Sequence, residues 1–273
     1  MHRDAFVNRR GFTLIEIMIT LMVLGVVMLG LMQILQVSLS SQTGTGNRME
    51  ARQFAAASLE MITADLRGAG SGNDWGYATP QPAIAYCDSM ELMLCGDFSG
   101  SVTAPVDTLG YNPAGTPKPN KLAGSWAPPI KYRTGAELIR WTMDVNNDGA
   151  ETASDNSNAN GIDALRSRNP NDFELVRQIY GDSLNEVAAD NGGAISRVAM
   201  IRKPGAGVPP IYTVNFTDGT TWDWSSGAVP ANKLSSIASI KLQITAESRR
   251  PDPRGRYAQV TLSSTVNVSR IAP

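Results

Sequence analysis

RRGFTLIEIMITLMVLGVVMLGLMQIL, residues 9–35, decides how the rest of the chain is read. From Ile17 to Leu35 there is no charged residue, and Thr20 and Gln33 are the only clearly polar side chains. A helix of that length rises about 28 Å, close to the hydrocarbon thickness of a bilayer. Lipid offers the backbone no hydrogen-bond partners, so the segment is expected to be helical. Arg3, Arg9 and Arg10 precede it against one acid, Asp4, and the positive-inside rule keeps that end in the cytoplasm. A secretory signal peptide would end in a small-residue A-x-A site, and QVSLSSQTGTG after Leu35 offers no convincing one. A plain anchor leaves Glu16 unexplained, because a carboxylate at membrane depth costs on the order of 3 kcal/mol unless it is paired or interfacial.

The totals narrow the chemistry. The chain has 273 residues, 42% hydrophobic and 18% charged, enough for one large domain or two small ones. A formal net charge of −1 gives no reason to expect nucleic acid as a partner. The only histidine is His2, ahead of the apolar run. If the first residues are removed, no Ser-His-Asp triad, Cys-His pair or histidine zinc site can form. Two cysteines cannot make an all-cysteine zinc site, and no G-x-x-x-x-G-K loop is present. No enzyme is expected.

Arg10-Gly11-Phe12-Thr13-Leu14-Ile15-Glu16 resembles the class III signal of type IV prepilins. In that family a prepilin peptidase cuts on the cytoplasmic side after the glycine, and the new N-terminal residue is N-methylated. The resemblance implies that Gly11 is the cleavage residue, Phe12 the mature N-terminus and Glu16 the fifth mature residue, where the family carries its glutamate. Cleavage exposes an amine on Phe12, and a carboxylate four residues on can pair with such an amine across subunits and set their register. The leader holds three arginines and one acid, leaving 21 basic and 24 acidic residues, a net of −3.

The helix is expected to continue beyond the apolar run. Ala51, Phe54, Ala55, Ser58, Leu59, Ile62 and Leu66 recur at spacings of three and four and form a narrow apolar face. Gly44 and Gly46 weaken the helix by about 1 kcal/mol each relative to alanine and read as a soft joint. Arg67-Gly68-Ala69-Gly70 reads as the helix end. The stretch ADLRGAG, residues 64–70, is similar to the end of the helix in PilW-type minor pilins.

After Gly70, short apolar runs are punctuated by Gly, Pro, Asn and Ser, the pattern of strands and loops. Strands are expected at 90–94, 130–133, 137–143, 174–180, 198–203, 211–216, 237–246 and 257–268, with Ile240, Leu242 and Ile244 alternating against Lys241 and Gln243. RRPDPRGR, residues 249–256, reads as an exposed basic hairpin loop. The fold class is therefore α+β. Its expected parts are a leader at 1–11, a membrane helix at 12–35, an amphipathic continuation at 36–67 and a β-rich head at 68–273.

Two further features invite chemistry. Cys87 and Cys95 enclose CDSMELMLC; in an exported chain that spacing reads as a local disulfide, against two buried free thiols. DVNNDGAETASD, residues 144–155, fits D-x-[DN]-x-[DN]-G and could hold Ca2+. Asp144, Asn146 and Asp148 would supply side-chain oxygens, Ala150 a carbonyl, Thr152 a direct or water-borne contact, and Asp155 the twelfth position. The alternative is a solvated turn-forming loop.

The resemblance implies a structural subunit of a type IV pilus, helping to prime assembly and able to sit at the tip. Its implied partners are other minor pilins, the major pilin, the prepilin peptidase, an inner-membrane assembly platform and, before assembly, the membrane. A GspJ-like pseudopilin of type II secretion shares the leader, helix and head. A calcium-dependent filament adhesin is the other-class alternative, resting on the acidic loop and on Trp222 and Trp224.

Overall fold

The computed structural model describes residues 12–71, 83–96, 136–145, 150–152, 155, 173–181, 194–205 and 207–268. Helix α1 spans Leu14–Gly68. The chain divides into two compact units, Met1–Gly46 and Asn47–Pro273, so the boundary falls at the second of the two glycines, Gly46. A Cβ at Gly44 or Gly46 would meet nothing within 4 Å, so neither glycine is required by packing.

In the first unit the apolar side chains from Phe12 to Leu39 are exposed, as a segment made for a lipid or helix-bundle environment would be. α1 contains a stretch long and apolar enough to cross a membrane.

In the second unit the end of α1 packs on an antiparallel sheet. Its buried positions are Ala51, Ala55, Ser58, Ile62, Thr63 and Leu66; of the expected face, Phe54 and Leu59 are only half-buried, and Thr63 is added to it. The sheet has eight strands: β1 (Ile84–Cys87), β2 (Leu92–Cys95), β3 (Ala136–Thr142), β4 (Phe173–Gly181), β5 (Ala194–Ile201), β6 (Tyr212–Phe216), β7 (Ile237–Glu247) and β8 (Gln259–Asn267). The order is β1-β2-β3-β4-β5-β7-β6, with β8 paired to β7. In β7, Ile240, Leu242 and Ile244 are buried between half-buried Lys241 and Gln243. A short helix α2, Ala231–Leu234, lies between β6 and β7.

The expected strand at 130–133 lies outside the described residues. β1 was not expected. IAYC is only four residues long, and its partner strand rather than its own pattern defines it.

The disulfide expectation is corrected: Cys87 and Cys95 are both buried free thiols. They belong to one hairpin but to its opposite ends. Asp88 begins the turn, its Oδ1 accepting from the N–H groups of Met90 at 2.7 Å and Glu91 at 2.6 Å, so Cys87 sits at the turn opposite Leu92. The Cys95 N–H bonds the Ala83 carbonyl at 2.9 Å, which sets Cys95 opposite Ala83. Ala83 is four residues before Cys87, which at about 3.3 Å per residue separates the two cysteines by about 13 Å. A disulfide needs Cα atoms within about 7 Å.

Candidate functional site

The functional candidates fall into three places, and the N-terminal one is the best defined. Thr13 and Glu16 cap α1 reciprocally. Glu16 Oε2 accepts from the Thr13 N–H at 2.9 Å and from Thr13 Oγ1 at 3.0 Å, and the Glu16 N–H donates to Thr13 Oγ1 at 3.3 Å. This is a capping box, which satisfies backbone donors that the first helical turn leaves unpaired. Thr20 adds a hydroxyl bond to the Glu16 carbonyl at 2.8 Å. Phe12 immediately precedes the cap and is 85% exposed. Gly11 lies outside the described residues.

The second place is the junction of the helix end with the sheet. Asp65 Oδ2 accepts from Trp141 Nε1 at 2.7 Å and from Arg177 Nε at 2.7 Å, and Oδ1 accepts from Arg177 Nη2 at 2.9 Å. Trp141 and Arg177 are opposite one another on β3 and β4, so one carboxylate of α1 grips two adjacent strands. Bidentate arginine–carboxylate pairing is the stronger form of ion pair. Gly70, at φ +78, takes the left-handed conformation that glycine tolerates, and its N–H reaches the Cys95 carbonyl at 2.7 Å. The ADLRGAG stretch therefore fixes the helix end to the sheet through Asp65 and Gly70.

On the neighbouring positions of β3 lies a buried polar cluster that the sequence reading missed. Arg140, fully buried, donates to Glu91 at 2.8 and 2.9 Å, to Gln178 Oε1 at 3.0 Å and to Asp144 Oδ2 at 3.0 Å. Thr142 Oγ1 donates to Glu91 Oε2 at 3.0 Å. Its signal was an arginine in the middle of ELIRWTM, where a strand with both faces covered must supply it with acids.

The third place is the acidic loop. Asp144 and Asp155 are fully buried. Asp155 Oδ1 accepts from the Val145 N–H at 2.9 Å and Oδ2 from the Thr152 N–H at 2.8 Å. The twelfth-position carboxylate thus lies beside the residue that follows Asp144. Ala150 is exposed, while Asn146, Asp148 and Gly149 lie outside the described residues. Among the described residues no group of three acidic, histidine or cysteine side chains is disposed to hold a metal ion.

The aromatic pair Trp222 and Trp224 is not on a strand. Trp222 bonds the Gly227 carbonyl through Nε1 at 2.9 Å, and Trp224 opens a single 3-10 turn capped by Asp223. Trp222 meets Phe216 edge-on at 6.1 Å, with Lys233 Nζ 5.2 Å over its ring, and both tryptophans pack against the core. The loop at 249–256 folds onto α1: the Arg249 N–H donates to Glu50 Oε2 at 3.2 Å, the Arg249 guanidinium lies 5.2 Å over Phe54, and Asn47 Nδ2 donates to the Arg250 carbonyl at 3.0 Å. Within it Asp252 Oδ1 accepts from the N–H groups of Arg254 at 2.8 Å and Arg256 at 2.9 Å. These bonds, that to Arg256 foremost, hold the Asp252 carboxyl below its ordinary value of 3.8.

Residues 7–32 match the family described as the Prokaryotic N-terminal methylation motif. The matched segment spans Arg9, Arg10, Gly11, Phe12, the capping box and most of the apolar run. The motif supports a type IV pilin-like prepilin and implies processing by prepilin peptidase and assembly with other pilins. With the apolar helix it points to membrane anchoring. No curated protein and no solved structure matches the chain significantly.

Proposed function

We propose that this chain is a minor pilin of the PilW type, a structural subunit that primes assembly of a type IV pilus and works by recognition and packing, without turnover. The methylation motif at 7–32, set directly before a capped apolar helix that ends in an antiparallel head, carries this reading. In it the peptidase cuts after Gly11, Phe12 is methylated, and Glu16 meets the amine of a neighbouring subunit. Glu16 Oε2 serves the chain's own cap, and a carboxylate has lone pairs left to accept from a second donor. The head faces the periplasm before assembly, following from the arginines ahead of the span. Deletion of the gene, scored for surface filaments and for secreted proteins together, tests the assignment. Loss of filaments with normal secretion supports it; loss of secretion with normal filaments would make the chain a GspJ-like pseudopilin instead.

The acidic loop enters as a Ca2+ site formed by Asp144, Asn146, Asp148, Ala150, Thr152 and Asp155. The Asp155 carboxylate at the Val145 N–H supports it, because a cation loop needs its first and twelfth positions close together. The Arg140 guanidinium on Asp144 opposes it. Calorimetric titration of the full chain decides: heat that disappears in the Asp144→Ala, Asp148→Ala double variant supports the site, and no heat at millimolar Ca2+ refutes it.

A further inference from the structure

β8 ends the sheet on one side. Its register with β7 runs through nine consecutive pairs, Ser239↔Asn267 to Glu247↔Gln259, without a bulge. Two bonds flanking that ladder fix which backbone groups face which way. The Ser248 N–H donates to the Ala258 carbonyl at 2.9 Å, and the Val268 N–H to the Ala238 carbonyl at 3.0 Å. Hydrogen-bonded pairs alternate along an antiparallel ladder, so the even-numbered residues of β8 turn their N–H and C=O groups to β7. Gln259, Thr261, Ser263, Thr265 and Asn267 therefore turn theirs outward. No hydrogen bond to these outward groups exists among the described residues.

Natural sheets blunt such edges with charges, prolines, bulges or a covering segment. QVTLSSTVN contains no charged residue, proline or glycine. Two other edges of the same sheet are protected, and β5, which meets β7 only at Ile201↔Ala246, carries Arg197 and register shifts against β4. β1 is four residues long with a register shift. The outer side of β6 is covered by its own continuation: the Trp222 N–H bonds the Val214 carbonyl at 2.9 Å, and the Phe216 N–H bonds the Thr220 carbonyl at 2.8 Å. β8 alone presents a long, regular, uncharged edge among the described strands.

The loop that leads into β8 adds a charge cue. Arg256 is paired with Asp252 and Arg249 with Glu50. Arg250 and Arg254 are exposed, and their guanidinium groups have no ion pair among the described residues. Two β8 strands pairing antiparallel with each other would bring the Thr265–Val268 end of one toward the 249–256 loop of the other, and those described residues carry no carboxylate. The edge is thus mismatched to itself and suited to a strand with an acid at that end.

We propose that the open edge of β8 is a docking strand for an extended segment of a different pilin-type subunit, uncharged along its paired length and bearing a carboxylate where it meets Arg250 and Arg254. Main-chain bonds to the five outward residues supply the affinity, and the two arginines set direction and register. The inference rests on the reading of the chain as a filament subunit.

The test uses the full-length protein in its native host, with a photo-crosslinking p-benzoylphenylalanine placed singly at Ser263, Thr265 or, as reference, Leu24 in the apolar helix. Captured chains are identified by mass spectrometry. The expected result is that Ser263 and Thr265 probes capture a different chain that itself carries a prepilin motif. With the probe at Thr265, Ser263→Pro should abolish this capture by removing one outward N–H, while Ser263→Ala retains it. If the proline variant fails to accumulate, Thr261→Lys provides the same test by charging the edge, and Arg250→Glu with Arg254→Glu should also lose capture. Capture of a second copy of this chain alone, or no capture from β8 while Leu24 captures pilin-type chains, overturns the docking strand and leaves the filament reading intact. No pilin-type capture even from Leu24 overturns both.

Discussion

Replacing Asp65 by alanine should loosen the hold of α1 on the sheet. The carboxylate receives two bonds from Arg177 and one from Trp141, and the side chains of Arg177 and Asp65 are only 17% and 12% exposed. Removing one partner of a buried pair costs about 3–5 kcal/mol, because the other charge stays behind without a partner. The residual exposure places this pair at the lower end. The unpaired Trp141 N–H adds about 1 kcal/mol, for a total of about 3–4 kcal/mol. In a unit the size of Asn47–Pro273, 1 kcal/mol shifts the midpoint by about 2–4 °C, so Asp65→Ala should lower it by at least about 6 °C. The assay is thermal unfolding of the detergent-purified full chain, followed by tryptophan fluorescence and near-ultraviolet circular dichroism. A double-mutant cycle with Arg177→Met separates the pair from general damage, since Arg177→Met should cost much less once Asp65 is gone. A midpoint within about 2 °C of the parent, or additive effects in the cycle, would refute the claim that Asp65 locks the helix to β3 and β4.

Two other outcomes follow from the same geometry. Cys87 and Cys95 should both be alkylated after denaturation without reductant and resist alkylation in the native chain; burial and the neighbouring Asp88 push the Cys87 thiol well above its ordinary range. A non-reduced digest containing a Cys87–Cys95 bridged peptide would contradict this. The Asp252 carboxyl has a folded value below its unfolded one, so its contribution to stability is complete above the ordinary 3.8 and is lost as pH falls through the lower folded value. The midpoint difference between the parent and Asp252→Asn should therefore shrink as pH is lowered below 3.8, and a difference that grows there would reverse the sign.

The features written in local patterns were legible in the sequence. The narrow face through Ala51, Ala55, Ser58, Ile62 and Leu66 follows from helical spacing, and the alternation at Ile240, Leu242 and Ile244 from the strand period. The capping box is also written in the sequence, since Thr13-x-x-Glu16 ahead of an apolar run is its signature, and it gives Glu16 a role within its own chain beside any intermolecular one. Long-range pairings were not legible. Nothing local to Asp65 marks its partners, Trp141 and Arg177, which lie far along the chain and reach it only in the fold. The cysteine spacing misled for the same reason: nine residues fit a hairpin whose ends either meet or part, and the Asx-type turn at Asp88 decides which. Trp222 and Trp224 would share one face only on a strand, and Asp223 instead caps a 3-10 turn there.

The central claim is that the chain is made to be cut after Gly11 and to present Phe12 at the start of a capped helix. The most direct measurement is intact mass and N-terminal peptide mapping of the protein recovered from its native host and from a host strain lacking prepilin peptidase. The account predicts a mature chain beginning at N-methylated Phe12 in the first and an uncut chain in the second. A chain that keeps residues 1–11 in both, or one cut beyond Leu35, would contradict it.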